Sequence, residues 1–288
     1  MAHETIRLGV LKLGCIGAAP LLDLLLDERA DREDLHVRAF TSGAKLDAAS
    51  CAPPTADLIA CAPDLVLLVS PNAALAGPAA SRQAIAAAKL PLVTISDGPS
   101  KKAFFRKSEE GKQVENVPPG QGFIILPADA MIGARREFLD PSEMALFNSD
   151  VIKVLATTGV LRLIQQEIDR IIGALKAGTA PAYPRLTVTP DVALAAGAFG
   201  NPYAAAKAHA ALVLAEATAA VTADGCFKEQ DPARYITLVA AGHEMMRAAA
   251  RLADEARELE KAGDTLARTP HAANGEPRRK TALRAKPE

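Results

Sequence analysis

The sequence predicts an α/β fold, a mainly parallel sheet with helices on both faces, joined to an α-helical bundle. Three observations lead there. Short apolar runs alternate with helical segments through the first half of the chain. Those runs end repeatedly in small, polar or turn-forming residues. Beyond about residue 137 the strands give way to long helical stretches, one of them rich in alanine. Strands separated by helices pair in parallel and have both faces covered.

Residues 6–13 are a short apolar run followed by Gly14-Cys15-Ile16-Gly17, a buried strand entering a tight turn. Pro20 stands where a helix can begin. Leu21, Leu22, Leu24, Leu25 and Leu26 follow, with Asp23 and Asp27 on the other side, an amphipathic pattern. Residues 37–41 are a second strand, ended by Ser42-Gly43. Residues 65–69 are a third, closed by Ser70-Pro71-Asn72. Residues 78–89 read as a helix. Residues 92–95 are a fourth strand, closed by Ser96-Asp97-Gly98-Pro99, and 123–126 a fifth. Residues 142–157 and 160–177 predict helices broken near Gly159. Residues 181–188 are extended and proline-rich, an edge strand or a linker. Residues 202–223 and 232–261 predict two long helices. The expected organisation is an α/β ligand-binding domain over 1–136, a helical bundle with a short extended segment over 137–268, and a tail over 269–288 that is either loosely structured or ordered only against a neighbour.

The bulk composition bounds the function. Hydrophobic residues make up 49% of the 288 and charged residues 23%, an ordinary soluble composition. Thirty-three Lys and Arg against 34 Asp and Glu leave a net charge of -1, which argues against a nucleic-acid or membrane-surface binder. No secretory signal opens the chain, and no stretch approaches the roughly 20 apolar residues of a membrane span. Cys15, Cys51, Cys61 and Cys226 form no C-x-x-C pair, as suits reduced thiols in the cytoplasm.

Familiar catalytic patterns are absent. Arg247 breaks the zinc pattern that His243-Glu244 begins, so no metal is expected. Two segments remain. Gly14-x-x-Gly17 either turns backbone N–H groups toward an anion or is a plain strand-to-helix turn. The densest polar constellation runs from Asp129 through Met131, Gly133, Arg135, Arg136 and Glu137 to Asp140, between the last strand and the helical half. Paired arginines grip carboxylates or phosphates, and a carboxylate accepts from a heterocycle's N–H groups. The competing reading is a salt-bridge cluster at a domain junction.

Several collinear segments together resemble a known family. They are LLDLLLDERADR at 21–32, SGAK at 42–45, SPN at 70–72 with Gly77-Pro78, and ADAMIGARREFLDPSEMALFNSDVIKVLATTG at 128–159. NPYAAAKA at 201–208, GCF at 225–227, QDP at 230–232, HEM at 243–245 and RTPH at 268–271 complete the set. In these the chain resembles the coenzyme F420-dependent methylenetetrahydromethanopterin dehydrogenases over nearly its whole length. The resemblance implies an oxidoreductase of one-carbon metabolism and methanogenesis. A hydride passes from methylenetetrahydromethanopterin to the deazaflavin coenzyme F420, giving methenyltetrahydromethanopterin and reduced F420. It implies coenzyme F420 as a dissociable cosubstrate, no metal, no tightly bound prosthetic group, and a cytoplasmic homo-oligomer, a hexamer assembled from dimers.

Direct hydride transfer needs positioning more than acid–base work, so no catalytic residue is expected. The resemblance assigns Asp129, Met131, Gly133, Arg135, Arg136, Glu137 and Asp140 to the tetrahydromethanopterin-type pterin, where a carboxylate can stabilise the cationic methenyl product. Gly14, Gly17, Ser42, Gly43, Ser70, Pro71, Asn72, Asp97 and Gly98 are the strand-end candidates for coenzyme F420, which carries phosphate and glutamates. Lys12 and Lys45 either assist electrostatically or are solvated surface charges.

The first turn departs from the family. Where the family reads roughly Lys-Cys-Gly-Asn-Ile-Gly-Thr-Ser-Pro, this chain has Lys12-Leu13-Gly14-Cys15-Ile16-Gly17-Ala18-Ala19-Pro20. Each missing hydrogen bond is worth roughly 0.5–1.5 kcal/mol. That change motivates two alternatives: another hydride acceptor, NAD(P) or a flavin, on the same scaffold, or a non-catalytic pterin-binding protein.

Overall fold

The apolar runs of the sequence assemble into one parallel sheet in a computed structural model that describes residues 5–28, 30–130 and 140–288. In chain order the elements are β1 (Ile6–Lys12), α1 (Ala18–Leu26), β2 (Leu35–Thr41), α2 (Ala48–Ala60), β3 (Leu65–Ser70), α3 (Ala76–Ala87) and β4 (Leu92–Asp97). A one-turn helix α4 (Lys101–Phe104) and a hairpin of β5 (Phe105–Lys107) and β6 (Gln113–Glu115) lead to β7 (Gln121–Leu126). Then come α5 (Pro141–Thr157), α6 (Val160–Lys176), β8 (Arg185–Thr187), α7 (Pro190–Gly197), α8 (Pro202–Ala223) and α9 (Pro232–Ala262).

The sheet order is β2-β1-β3-β4-β7-β8, with every neighbouring pair parallel. The chain runs outward from β1 to β2, then crosses back to β3 on the other side of β1. This reversal opens a crevice at the carboxyl edge, where open α/β sheets take their ligands. β8 is the extended 181–188 segment, and it is an edge strand of the main sheet rather than a linker.

Every residue of β3, β4 and β7 is buried, which explains their unbroken apolar character. On one face Val66, Leu68 and Leu92 pack with Cys51, Leu58 and Ile85 of α2 and α3. On the other, Leu65, Leu67, Val93, Ile95 and Ile124 share a core with residues of α1, α5, α6, α8 and α9. Each fully buried Leu or Ile contributes about 1.5–3 kcal/mol.

Local chemistry fixes the helix ends. Asp140, Asn201 and Asp231 cap α5, α8 and α9, each followed by a proline whose missing N–H costs nothing at that position. Gly159 separates α5 from α6 at φ 98°, and a Cβ there would stand 2.0 Å from the Ala193 carbonyl oxygen. Only glycine meets both demands.

Three elements go beyond the sequence expectation. α2 carries Pro53 and Pro54 inside it, residues that normally argue against a helix. The β5–β6 hairpin and α7 are too short for periodicity to show. α8 with the turn after it is also long and apolar enough to cross a membrane, contrary to expectation. Here it packs along α9, and the small side chains of Ala204, Ala208 and Ala256 form a cluster of their own.

The tail is not loose. His271 is 1% exposed, and its Nε2 lies 2.8 Å from Asp169 of α6. Its Nδ1 pairs with Glu28 beyond α1. Arg268 and His271 form bridges with Lys280 and Pro277, closing the tail on itself. These contacts are all within one chain.

Candidate site at the carboxyl edge of the sheet

Parallel pairing carries the ends of β1, β2, β3, β4 and β7 to a single edge. Gly14, Gly17, Ser42, Gly43, Ser70, Pro71, Asn72, Asp97, Gly98 and Asp129 are therefore neighbours along that edge, although they span more than a hundred positions of sequence. Met131, Gly133, Arg135, Arg136 and Glu137 lie outside the described residues.

The first turn is locked from within. Gly14 has φ +81° and donates its N–H to Gly43 O at 3.0 Å. Gly17 and Ala18, at the start of α1, donate to Asp129 Oδ1 and Oδ2 at 2.9 and 2.8 Å. A Cβ on Gly17 would meet Val151 at 2.5 Å and Asp129 at 2.8 Å. The N–H groups of this turn thus face the protein's own carboxylate. Asp129 is 0% exposed and caps α1, where the helix dipole favours an anion. Its carboxylate positions the turn between sheet and helices.

Asp140 likewise uses its side chain as a cap, accepting from Ser142 N–H at 2.6 Å and Glu143 N–H at 3.3 Å. These bonds hold its carboxyl below the usual range. Lys12 pairs with Asp23 at 2.9 Å and is not a free cation. Ser42 Oγ donates to Lys45 O at 2.7 Å, and Asn72 Oδ1 accepts from Ala74 N–H at 3.1 Å.

Two strand-end groups keep unused capacity. Ser70 Oγ, at the end of β3, and Asp97 Oδ1, at the end of β4, are buried and have no hydrogen-bond partner among the described residues. Beside Asp97, a side chain built on Gly98 would meet nothing within 4 Å, so space is open there. Buried polar groups without partners cost about 1–3 kcal/mol each, and a ligand at this edge relieves that cost. Ser100 Oγ accepts from Ala73 N–H at 2.8 Å, and Ser96 Oγ donates to Ser70 O. The sequence reading noted Ser96 only as a strand closer and missed Ser100. The signal was present in Ser96-Asp97-Gly98-Pro99-Ser100, a polar cluster directly after an apolar strand.

Asp97 and Asp129 are coupled. Burial, and then the nearby Asp129 charge, pushes Asp97 up to about 8. Burial pushes Asp129 up to about 7, against the lowering effect of the Ala18 and Gly17 N–H groups. The raised value keeps Asp97 largely a neutral acid, able to donate, at neutral pH. A site that pairs a neutral donor with hydroxyls and backbone groups suits orientation of a polar heterocycle. Among the described residues no group of three or more His, Cys, Asp or Glu is placed to hold a metal ion.

The family described as methylene-5,6,7,8-tetrahydromethanopterin dehydrogenase matches residues 6–288. The chain is 53% identical over 283 residues to the F420-dependent methylenetetrahydromethanopterin dehydrogenase of Archaeoglobus fulgidus, covering 98% of this chain and 99% of that protein. It is 48% identical to the enzyme of the same description from Methanothermobacter thermautotrophicus, with the same coverage. A solved structure of an F420-dependent methylene-tetrahydromethanopterin dehydrogenase, in complex with methylene-tetrahydromethanopterin and coenzyme F420, superposes with a TM-score of 0.90. The two are 42% identical over 99% of this chain and 100% of that one.

Proposed function

From the premise that this chain belongs to the methylene-5,6,7,8-tetrahydromethanopterin dehydrogenase family, we propose how its carboxyl edge serves the reaction. The chain is an F420-dependent oxidoreductase of one-carbon metabolism. It transfers a hydride from methylenetetrahydromethanopterin to coenzyme F420, giving methenyltetrahydromethanopterin and reduced F420. The observation that carries this is the full-length likeness to an enzyme solved with both molecules bound.

Coenzyme F420 supplies the hydride-accepting ring when bound, as a dissociable cosubstrate. The residues at the sheet edge fit such a partner: Ser70 Oγ and Asp97 Oδ1 are buried without partners among the described residues, and space is open beside Gly98. Ser70, Asn72, Asp97 and Gly98 orient it. Asp129 fixes the first turn and α1 against the helical half, so that the walls of the site keep their spacing. Met131, Gly133, Arg135, Arg136 and Glu137 lie outside the described residues, and their assignment to the pterin rests on the family resemblance of the 128–159 segment alone. Catalysis is positioning, since effective molarity supplies most of what a direct hydride transfer needs.

The enzyme works in the cytoplasm as a homo-oligomer, a hexamer assembled from dimers. Supporting the oligomer is an open apolar groove of 840 Å3 along α8, lined by Ala206, His209, Ala210, Val213 and Ala217. A contiguous apolar groove of this kind is the usual mark of an interface.

The test is spectroscopic. Purified protein mixed with methylenetetrahydromethanopterin and oxidised coenzyme F420 is expected to bleach the deazaflavin absorbance only when both are present. Absence of bleaching, with the pterin still binding, overturns the assignment of the acceptor.

A further inference from the structure

Arg82 stands in the middle of α3 and has no counter-charge among the described residues. Its guanidinium carbon lies 4.4 Å from the centre of the Phe104 ring. Phe104 is 1% exposed and stacks on Phe123 at 4.6 Å, in one cluster with Ala73, the residue after Asn72. Arg82 Nε is buried with no hydrogen-bond partner among the described residues. Burial without compensation lowers its pKa from the usual value.

The other half-buried arginines show what this fold does for a structural cation. Arg32 is held by Asp34 through two bonds of 2.8 and 3.0 Å. Arg162 donates to the carbonyl oxygens of Gly197 and Ala267. Arg82 has neither kind of partner, only the face of an aromatic ring. A cation held on a ring keeps its guanidinium edge free for an oxyanion. Helical side chains lean toward the helix N-terminus, which for α3 is the end that follows Ser70-Pro71-Asn72 at the carboxyl edge. The lysine closest to that edge in sequence, Lys12, is already paired with Asp23.

We propose that Arg82 is the residue that binds an oxyanion of the coenzyme's side chain and so makes the enzyme prefer the full coenzyme to a bare deazaflavin. The proposal rests on the reading of the carboxyl edge as the coenzyme site. Phe104 is its support, holding the guanidinium in place in the free enzyme. The shared chemistry is a phosphodiester or a carboxylate, and the two are separable by substrate.

The experiment compares wild type, Arg82→Gln and Arg82→Lys with three acceptors. These are F420, the phosphodiester derivative without glutamates, and the riboflavin-like deazaflavin lacking the whole chain. For Arg82→Gln the KM for F420 is expected to rise about tenfold or more, while KM for the pterin and for the bare deazaflavin stays unchanged. Arg82→Lys is expected to restore part of the loss. A rise retained with the phosphodiester derivative assigns the phosphate; a rise seen only with F420 assigns a glutamate carboxylate. Equal KM changes with F420 and the bare deazaflavin, or no change with either, overturn the proposal. Failure of the wild type to reduce F420 at all strikes the functional assignment instead. The thermal midpoint of Arg82→Gln is expected to match or exceed that of wild type, because a half-buried cation with no counter-charge among the described residues is removed. A large fall in the midpoint marks Arg82 as structural and overturns the proposal.

Discussion

Asp129 Oδ1 accepts a hydrogen bond from the Gly17 N–H at 2.9 Å across 112 positions of sequence. Its second oxygen accepts from Ala18, so one carboxylate closes the turn after β1. The end of β7 and the start of α1 are thereby fixed to each other.

Asp129→Asn tests that link. The amide presents one donor to a pair of N–H groups that need acceptors, leaving one buried N–H unsatisfied. The expected loss is about 1–3 kcal/mol, read as a lower midpoint in urea at unchanged slope. An unchanged midpoint would show that the α1 start is held by packing alone.

Asp97 makes stability depend on pH. Its folded pKa of about 8 stands above its ordinary value of 3.8, so the folded state binds the extra proton between those two values. Asp129, raised to about 7, holds a second such proton, so stability is expected to fall as pH rises from about 4 to about 8 with both carboxyls contributing to the slope. Asp97→Asn is expected to make this part of the profile shallower, leaving the contribution of Asp129. Parallel profiles for the two proteins would remove Asp97 as the source.

Ser70→Ala separates site from scaffold. The hydroxyl has no partner among the described residues, so its removal is expected to leave the free protein as stable or slightly more stable. The KM for F420 is expected to rise about fivefold, the equivalent of roughly 1 kcal/mol of lost hydrogen bond. A destabilised variant with unchanged KM would place the hydroxyl in the scaffold.

His271 ties the tail to the body. Burial, and then the Arg32 charge, lower its pKa, but the hydrogen bond and charge of Asp169 and the hydrogen bond of Glu28 outweigh them, and the net value is raised. A raised folded pKa means the stabilisation is complete below 6.5 and is lost as pH climbs through the folded value. Protease sensitivity of the tail is expected to increase above that point in wild type. In His271→Gln the tail is expected to be sensitive at every pH. Equal sensitivity of wild type at pH 6 and pH 9 would count against the clasp.

The sequence by itself determined the parallel sheet, the long helices and the identity of the strand ends. Apolar runs such as Leu65–Ser70 have no polar face to show to water, so burial on both sides was forced. Caps and prolines at Asp140-Pro141, Asn201-Pro202 and Asp231-Pro232 marked the starts of three helices through purely local chemistry. The collinear segments, taken together, carried the family. Other features were decided only by tertiary structure. Gly14 and Gly17 were legible as turn glycines, but not that their N–H groups face Gly43 and Asp129. Asp129 looked like a ligand group, and only the fold shows both its oxygens occupied. That Ser70 Oγ and Arg82 Nε find no hydrogen-bond partner among the described residues was equally invisible, and so was the closure of the tail around His271. The reason is common to all of them. Periodicity and capping are set by neighbours within a few positions, whereas a hydrogen-bond partner or a missing counter-charge is set by residues brought close only when the chain has packed.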